Sequence, residues 1–407
     1  MFTTQQQRAI KMTKRAYAVI AAGFLTVSIS FSIRYGYGML LPEMVPDLGI
    51  SKAQAGAIFA AYFAVYTIAT PILGALTDRF NYRLILTLFT TVLACGAILM
   101  AFAHTLWQAC LFFAVAGLGH AACWAPVAAL VQKWVPNHRR GTALSVVTMG
   151  LGVGLPLWSM ILPAMVKASD WRAGWIGLGI VCLGVAALNF ILVRNPEKGG
   201  PPGNRLHPPK PKFWESYRKI VKDRVFWIIG TGYFFVGVTV IIPYGFVPVY
   251  AREALGLPYS EATRMVAVIA LTGIVGQLTL GPLSDTIGRI RVMMTCSFTM
   301  GSACLGLALS THPWMLYLFS GCFGLGYGAV WSAYGAAASD FFPKEHTGGI
   351  MGLWTCILGL GSVISPVICG WTIDMSGGYF WAFVLGLVNG VLSAVVLAGV
   401  GAHRRPA

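Results

Sequence analysis

Twelve long apolar runs dominate this 407-residue chain and leave it one kind of fold. They lie at about 17–41, 55–77, 84–103, 107–134, 141–166, 173–193, 225–250, 261–284, 292–310, 314–341, 347–373 and 379–401. Each is near or above the roughly 20 residues that a helix needs to cross a bilayer's hydrocarbon. Charged residues make up only 10% of the chain, against about 25% in a soluble domain. The expectation is an all-α polytopic membrane protein whose main partner is the lipid bilayer. Six runs precede and six follow one hydrophilic break, which divides the chain into 1–194, a linker at 195–223, and 224–407.

The charge distribution supports both the count and an orientation. With twelve spans, both termini lie on one side, and the segments on that side carry 23 of the 29 Lys and Arg. The opposite loops carry five, namely Lys52, Lys167, Arg172, Arg252 and Arg264. Basic loops stay cytoplasmic, so the termini and the linker are expected inside, in a bacterial inner membrane. This asymmetry accounts for the net charge of +16 without a nucleic-acid partner, which would need a basic soluble face. Met1 to Arg15 reads as a cytoplasmic tail and not as a signal peptide. Pro201, Pro202, Pro208, Pro209 and Pro211 keep the first part of the linker extended, and Phe213 to Lys222 is compatible with a short amphipathic surface helix.

The remaining twenty-ninth cation is Arg34, the one Lys, Arg, Asp or Glu in the interior of an apolar run. A charge at that depth costs roughly 2.5–3.5 kcal/mol on insertion scales, so it must face protein or a water-filled cavity. Its guanidinium can hold a carboxylate through two parallel hydrogen bonds. The competing expectation is that Arg34 snorkels outward or pairs with Glu43. All thirteen acids lie at helix ends or in loops, so no buried carboxylate proton relay is expected. His120, in Gly117-Leu-Gly119-His120 of the fourth run, is the intramembrane group able to titrate near neutrality. It is therefore a candidate for substrate binding and proton coupling. Trp124, one turn on, is expected on the same helix face. Tyr62 and Tyr66 form a stripe in the second run, as do Tyr327, Trp331 and Tyr334 in the tenth. With Tyr233, Gln277 and Trp354, they are candidates to line a central cavity. Glycine-rich stretches in the fifth, tenth and eleventh runs lie inside apolar helices and are not nucleotide loops. No metal-ligand cluster or nucleophilic triad is evident, and the nine cysteines are scattered in apolar runs without a CxxC. Neither an enzyme nor a cofactor is expected.

The two halves share a loop pattern. Gly74-Ala-Leu-Thr-Asp78-Arg79-Phe-Asn-Tyr-Arg83 follows the second run, and Gly281-Pro-Leu-Ser-Asp285-Thr-Ile-Gly-Arg289-Ile-Arg291 follows the eighth. Asp78, Arg79, Arg83, Asp285 and Arg289 are thus candidates for charge pairs that hold the halves together in one state and release them in another. With six runs plus six and a basic central loop, this G-x-L-x-D-R-x-x-x-R pattern resembles the major facilitator superfamily. The second copy lacks the Arg after its Asp, and the first has Asn81 where the family has glycine. The resemblance implies two six-helix bundles, a substrate bound between them, alternating access and a monomeric unit. Trp134-Val-Pro136 before Arg139-Arg140-Gly141 is similar to a loop of bacterial monocarboxylate and oxalate/formate-type carriers. The resemblance to organic-anion carriers also extends to the single Arg in the first helix. Oxalate/formate exchangers use cations in the eighth and eleventh helices, where this chain has Gln277 and no charge, which disfavours a dicarboxylate. The expected cargo is a small organic monoanion, with proton coupling left open. Efflux of a neutral or lipophilic compound and a non-transporting membrane sensor on the same fold are the alternatives.

Overall fold

The computed structural model describes residues 13–77, 81–136, 139–194, 220–343 and 346–401. Helices are the only regular elements among them apart from single turns. The first six-helix bundle comprises α1 (Lys14–Leu48), α2 (Lys52–Thr77), α3 (Tyr82–Met100), α4 (Leu106–His120), α5 (Ala125–Trp134), α6 (Arg140–Ala168) and α7 (Trp171–Leu192). The second comprises α8 (Arg224–Glu253), α9 (Tyr259–Ile287), α10 (Arg289–Ala308), α11 (Pro313–Phe341), α12 (Thr347–Ser376) and α13 (Phe380–Gly401).

Helices α4 and α5 together form the fourth span, which the sequence presents as unbroken. The helix stops at His120 and restarts at Ala125. Eleven spans among the described residues are long and apolar enough to cross a membrane. The twelfth expected span, α11, is 29 residues long and falls short in hydropathy because glycine, serine, tyrosine and tryptophan dilute its apolar residues. It packs along α9 and α10 as a full member of the second bundle.

Within the first bundle α1 packs on α6 and α7, and α3 packs on α4 and α7. A buried polar knot joins three of them. The Asn189 amide donates to Thr26 Oγ1 at 2.9 Å and to Thr90 Oγ1 at 3.3 Å. Interhelical hydrogen bonds of this kind contribute roughly 0.6 kcal/mol each, up to about 1.7, in apolar surroundings. Asn189→Ala is expected to cost about 1 kcal/mol, read as a lower thermal midpoint in detergent with substrate affinity unchanged. An equal loss of affinity would connect the knot to the site instead.

The halves meet along three pairs, α1 with α8, α2 with α12, and α6 with α9. Among the described residues, their charged contacts gather at the end carrying the sparsely basic loops, termed the outer end. Lys52 pairs with Glu253 at 2.5 Å, and Arg252 pairs with Glu43 at 2.5 Å. The Asp374 carboxylate accepts from Lys52 N at 3.0 Å and Ala53 N at 2.8 Å. A side chain of the second bundle thereby satisfies two orphan amides at the start of a helix in the first. Tyr379 donates to Glu253. Burial, followed by that carboxylate, pushes the Tyr379 phenol well above its ordinary range and keeps it protonated as a donor. The Tyr259 hydroxyl reaches Met39 O at 2.9 Å.

In this conformation, closed at the outer end, Arg83 and Arg289 of the loop charges make their contacts within one bundle. Arg289 pairs with Asp285 and with Asp340, the latter at 2.9 Å. It thus binds the ends of α9, α10 and α11, all in one bundle. The Arg83 guanidinium lies 3.8 Å from the Phe190 ring centre, again within one bundle. Asp78, Arg79 and linker residues 195–219 lie outside the described residues.

Candidate functional site

Arg34 sits in the long α1, 5% exposed. It does not snorkel outward, and Glu43, its expected alternative partner, is paired with Arg252. No carboxylate lies within salt-bridge distance of Arg34 among the described residues. Four aromatic rings enclose the guanidinium instead. Its carbon lies 4.3 Å from the Tyr66 ring centre, 4.9 Å from Phe31, 5.2 Å from Phe63 and 5.5 Å from Tyr62. Such contacts offset part of the desolvation cost, about 0.5–2 kcal/mol each, without neutralising the charge.

Tyr62 connects Arg34 to His120. Arg34 Nε donates to the Tyr62 hydroxyl at 3.2 Å, and that hydroxyl lies 2.6 Å from His120 Nδ1. A phenol carries one proton. With its own proton assigned to His120 Nδ1, the neutral ring carries its proton on Nε2; the opposite tautomer would make Nδ1 the donor to the Tyr62 oxygen. Two donors in this cluster, Arg34 Nη2 and His120 Nε2, have no hydrogen-bond partner among the described residues, and both atoms are buried. A buried donor without an acceptor costs about 1–3 kcal/mol, more when charged. One cluster therefore holds two unmet donors and one unneutralised cation, which is chemistry suited to an anion.

The position of His120 follows from the helix break. Gly117 and Gly119 let α4 lie directly against the backbones of Tyr62 and Leu93, and the helix then ends, placing His120 against Phe31, Tyr62 and Tyr66. The same break separates Trp124 from it. Trp124 precedes α5 in a non-helical turn and is 36% exposed. The shared helix face expected for the pair does not exist.

The aromatic candidates divide in two. Tyr327 and Trp331 meet edge to face at 5.7 Å, and Trp331 meets Tyr233 at 6.0 Å. Tyr233 stacks on Tyr334 at 4.0 Å. Tyr327 reaches the first bundle, its hydroxyl 3.3 Å from that of Tyr35. Trp354 and Gln277 take other roles. The Trp354 indole donates to Phe226 O at 3.0 Å, fastening α12 to α8. The Gln277 amide donates to Thr148 Oγ1 at 3.3 Å, across α9 and α6. Sequence reasoning passed over Phe31, Phe63, Tyr35 and Tyr244. Tyr35 stacks on Tyr244 at 3.8 Å, across the two bundles. Adjacency to Arg34 was the available signal for Tyr35, and Tyr244 carries none beyond its place between Pro243 and Gly245.

Two six-helix bundles, with a buried polar cluster in the first beside the Tyr35–Tyr327 contact to the second, form a multi-pass membrane protein. The chain belongs to the Major Facilitator Superfamily, whose model matches residues 23–278 and 231–407. It is 24% identical to the probable galactarate/D-glucarate transporter GudP of Bacillus subtilis (strain 168), over 96% of this chain and 93% of that one. It is also 24% identical to monocarboxylate transporter 11 of Mus musculus, over 94% of this chain and 85% of that one. Among solved structures it resembles a bacterial homologue of the human lysosomal transporter Spinster. The TM-score is 0.76 at 18% identity, with 96% of both chains covered.

Proposed function

We propose that this transporter carries a small organic monoanion across a bacterial inner membrane by alternating access, with both termini cytoplasmic. The observation that carries the reading is Arg34, a buried cation with no carboxylate partner among the described residues and an unmet Nη2 donor beside the unmet Nε2 of His120. A carboxylate would accept from Nη2 and supply the missing counter-charge. The relatives named for sugar diacids and for monocarboxylates support an organic acid as cargo.

His120 is the proposed proton carrier. A carboxylate held at Arg34 adds negative charge near the imidazole and favours its protonated form. The test is uptake of labelled monocarboxylates into proteoliposomes containing the purified protein. Protein-dependent uptake that accelerates with an imposed proton gradient is expected. His120→Gln should remove the response to the gradient while leaving counterflow measurable. Saturable binding without flux for every acid would make the chain a sensor, and a gradient response that survives in His120→Gln would remove the histidine from coupling.

A further inference from the structure

We propose that the anion has a flat, apolar, aromatic body with one carboxylate, and that Tyr35, Tyr244, Tyr327 and Trp331 select it. The inference rests on Arg34 as the carboxylate partner. It departs from the sugar-acid names of several relatives, and two sets of observations carry it.

The first is the run of rings that starts at Arg34 and crosses between the bundles. Phe31, against the guanidinium, lies 6.2 Å from Tyr35. Tyr35 of α1 is stacked at 17° on Tyr244 of α8. Tyr244 meets Tyr327 at 5.2 Å, and Tyr327 meets Trp331. The Tyr35–Tyr244 stack joins two different bundles, so it must open whenever the bundles part. A flat ring entering there exchanges one stacking partner for another, and its carboxylate is left beside Arg34. An aliphatic chain fills the same space without recovering the stacking geometry.

The second is the scarcity of free polar groups around the site. Tyr35 and Tyr327 bond each other, and Tyr62 is occupied by Arg34 and His120. Ser30 and Ser32 bond carbonyls of their own helix. Gln277 and Asn189 are taken by threonines. Among the described residues the Tyr244 and Tyr334 hydroxyls and Thr67 Oγ1 remain without a partner, enough for two or three polar substituents but not for a fully hydroxylated chain. A polyhydroxylated acid would bury several hydroxyls without acceptors or donors, and discrimination on that ground is strong. A second carboxylate would find no second cation in the interior of a span.

The test is ligand-dependent thermal stabilisation of the purified full-length protein and of Arg34→Gln. The probes are phenylacetate, benzoate, hexanoate, galactonate, galactarate and uncharged benzyl alcohol. The aromatic acids are expected to half-saturate at concentrations at least tenfold below galactonate and galactarate, only in the parent, with no response to benzyl alcohol. Trp331→Leu, at a half-buried position, is expected to weaken phenylacetate at least fivefold more than hexanoate. Tyr244→Leu should act the same way if it folds. Arg34-dependent stabilisation by a sugar acid equal to or stronger than that by the aromatic acids overturns the aromatic assignment and leaves the anion reading standing. A Trp331→Leu variant that weakens both acids equally also overturns it. If no acid acts through Arg34, the anion reading falls, and this inference with it.

Discussion

Arg34→Gln is expected to abolish acid-induced stabilisation and uptake while leaving the unliganded protein no less stable than the parent. The two halves of this expectation have one cause. Among the described residues Arg34 has no carboxylate partner, and it is buried with Nη2 unsatisfied, so the folded protein bears its desolvation cost in the absence of ligand. That cost is several kcal/mol for a buried ion, offset in part by the four surrounding rings. A neutral side chain removes cost and offset together. With ligand present the sign reverses, because a buried charge pair that loses one member costs about 2–5 kcal/mol. The loss in affinity is therefore on the order of 100-fold or more. Arg34→Lys keeps the charge but not the two parallel donors, and about a tenfold loss is expected. The checks are the thermal midpoint without ligand and the ligand concentration that half-stabilises each variant. A large drop in the unliganded midpoint of Arg34→Gln, with normal binding in whatever remains folded, would make Arg34 a packing residue.

Arg34 was legible in the sequence because a charge inside an apolar run has few physical explanations. The twelve spans were legible for a related reason, since hydropathy reports directly on the solvent a helix must tolerate. Partners were not. Tyr62 and His120 are 58 positions apart, and nothing local in either helix records which group the other faces. The break after His120 was hidden too, because small residues near 117–123 are equally at home in a continuous helix packed closely on its neighbours. Trp354 shows how an amphipathic side chain misleads. A mid-depth indole suits a cavity, yet its one donor is equally well satisfied by a carbonyl of the next helix, here Phe226. The loop charges mislead in another way. A recurring Asp–Arg loop marks where bundles end but not which bundle a side chain reaches toward. In this conformation Arg289 turns to Asp340 in its own bundle, while the ion pairs between bundles among the described residues use Glu43, Lys52, Arg252 and Glu253 at the opposite end. Their signal was present, since three of the five outer-loop cations (Lys52, Arg172 and Arg252) lie in these pairs or pair with Asp47. Reading it required knowing which loops adjoin.

The seal at the outer end leads to the second large effect. Gly38→Ala is expected to open that end and slow transport at least tenfold. A Cβ built on Gly38 of α1 would stand 1.9 Å from the carbonyl oxygen of Tyr244 on α8, a contact with backbone that no rotamer change relieves. Overpacking of this kind costs roughly 1–3 kcal/mol. On the alternating-access reading the cost falls only on the state in which the outer end is closed, because α1 and α8 belong to bundles that separate there. A penalty of 2–3 kcal/mol confined to one state moves the balance by about 30- to 150-fold. Gly117 supplies the comparison. Its Cβ would lie 2.3 Å from the Tyr62 carbonyl oxygen, but α4 and α2 belong to the same bundle, so Gly117→Ala burdens both states and should lower the thermal midpoint. Hydrogen exchange distinguishes the two outcomes. In Gly38→Ala the amides of Lys52 and Ala53, which are held across the bundles by Asp374, should exchange faster while amides in the core of each bundle stay protected. If those two amides keep their parental exchange rate, or if protection is lost evenly through both bundles, the outer contact is ordinary packing and not a gate.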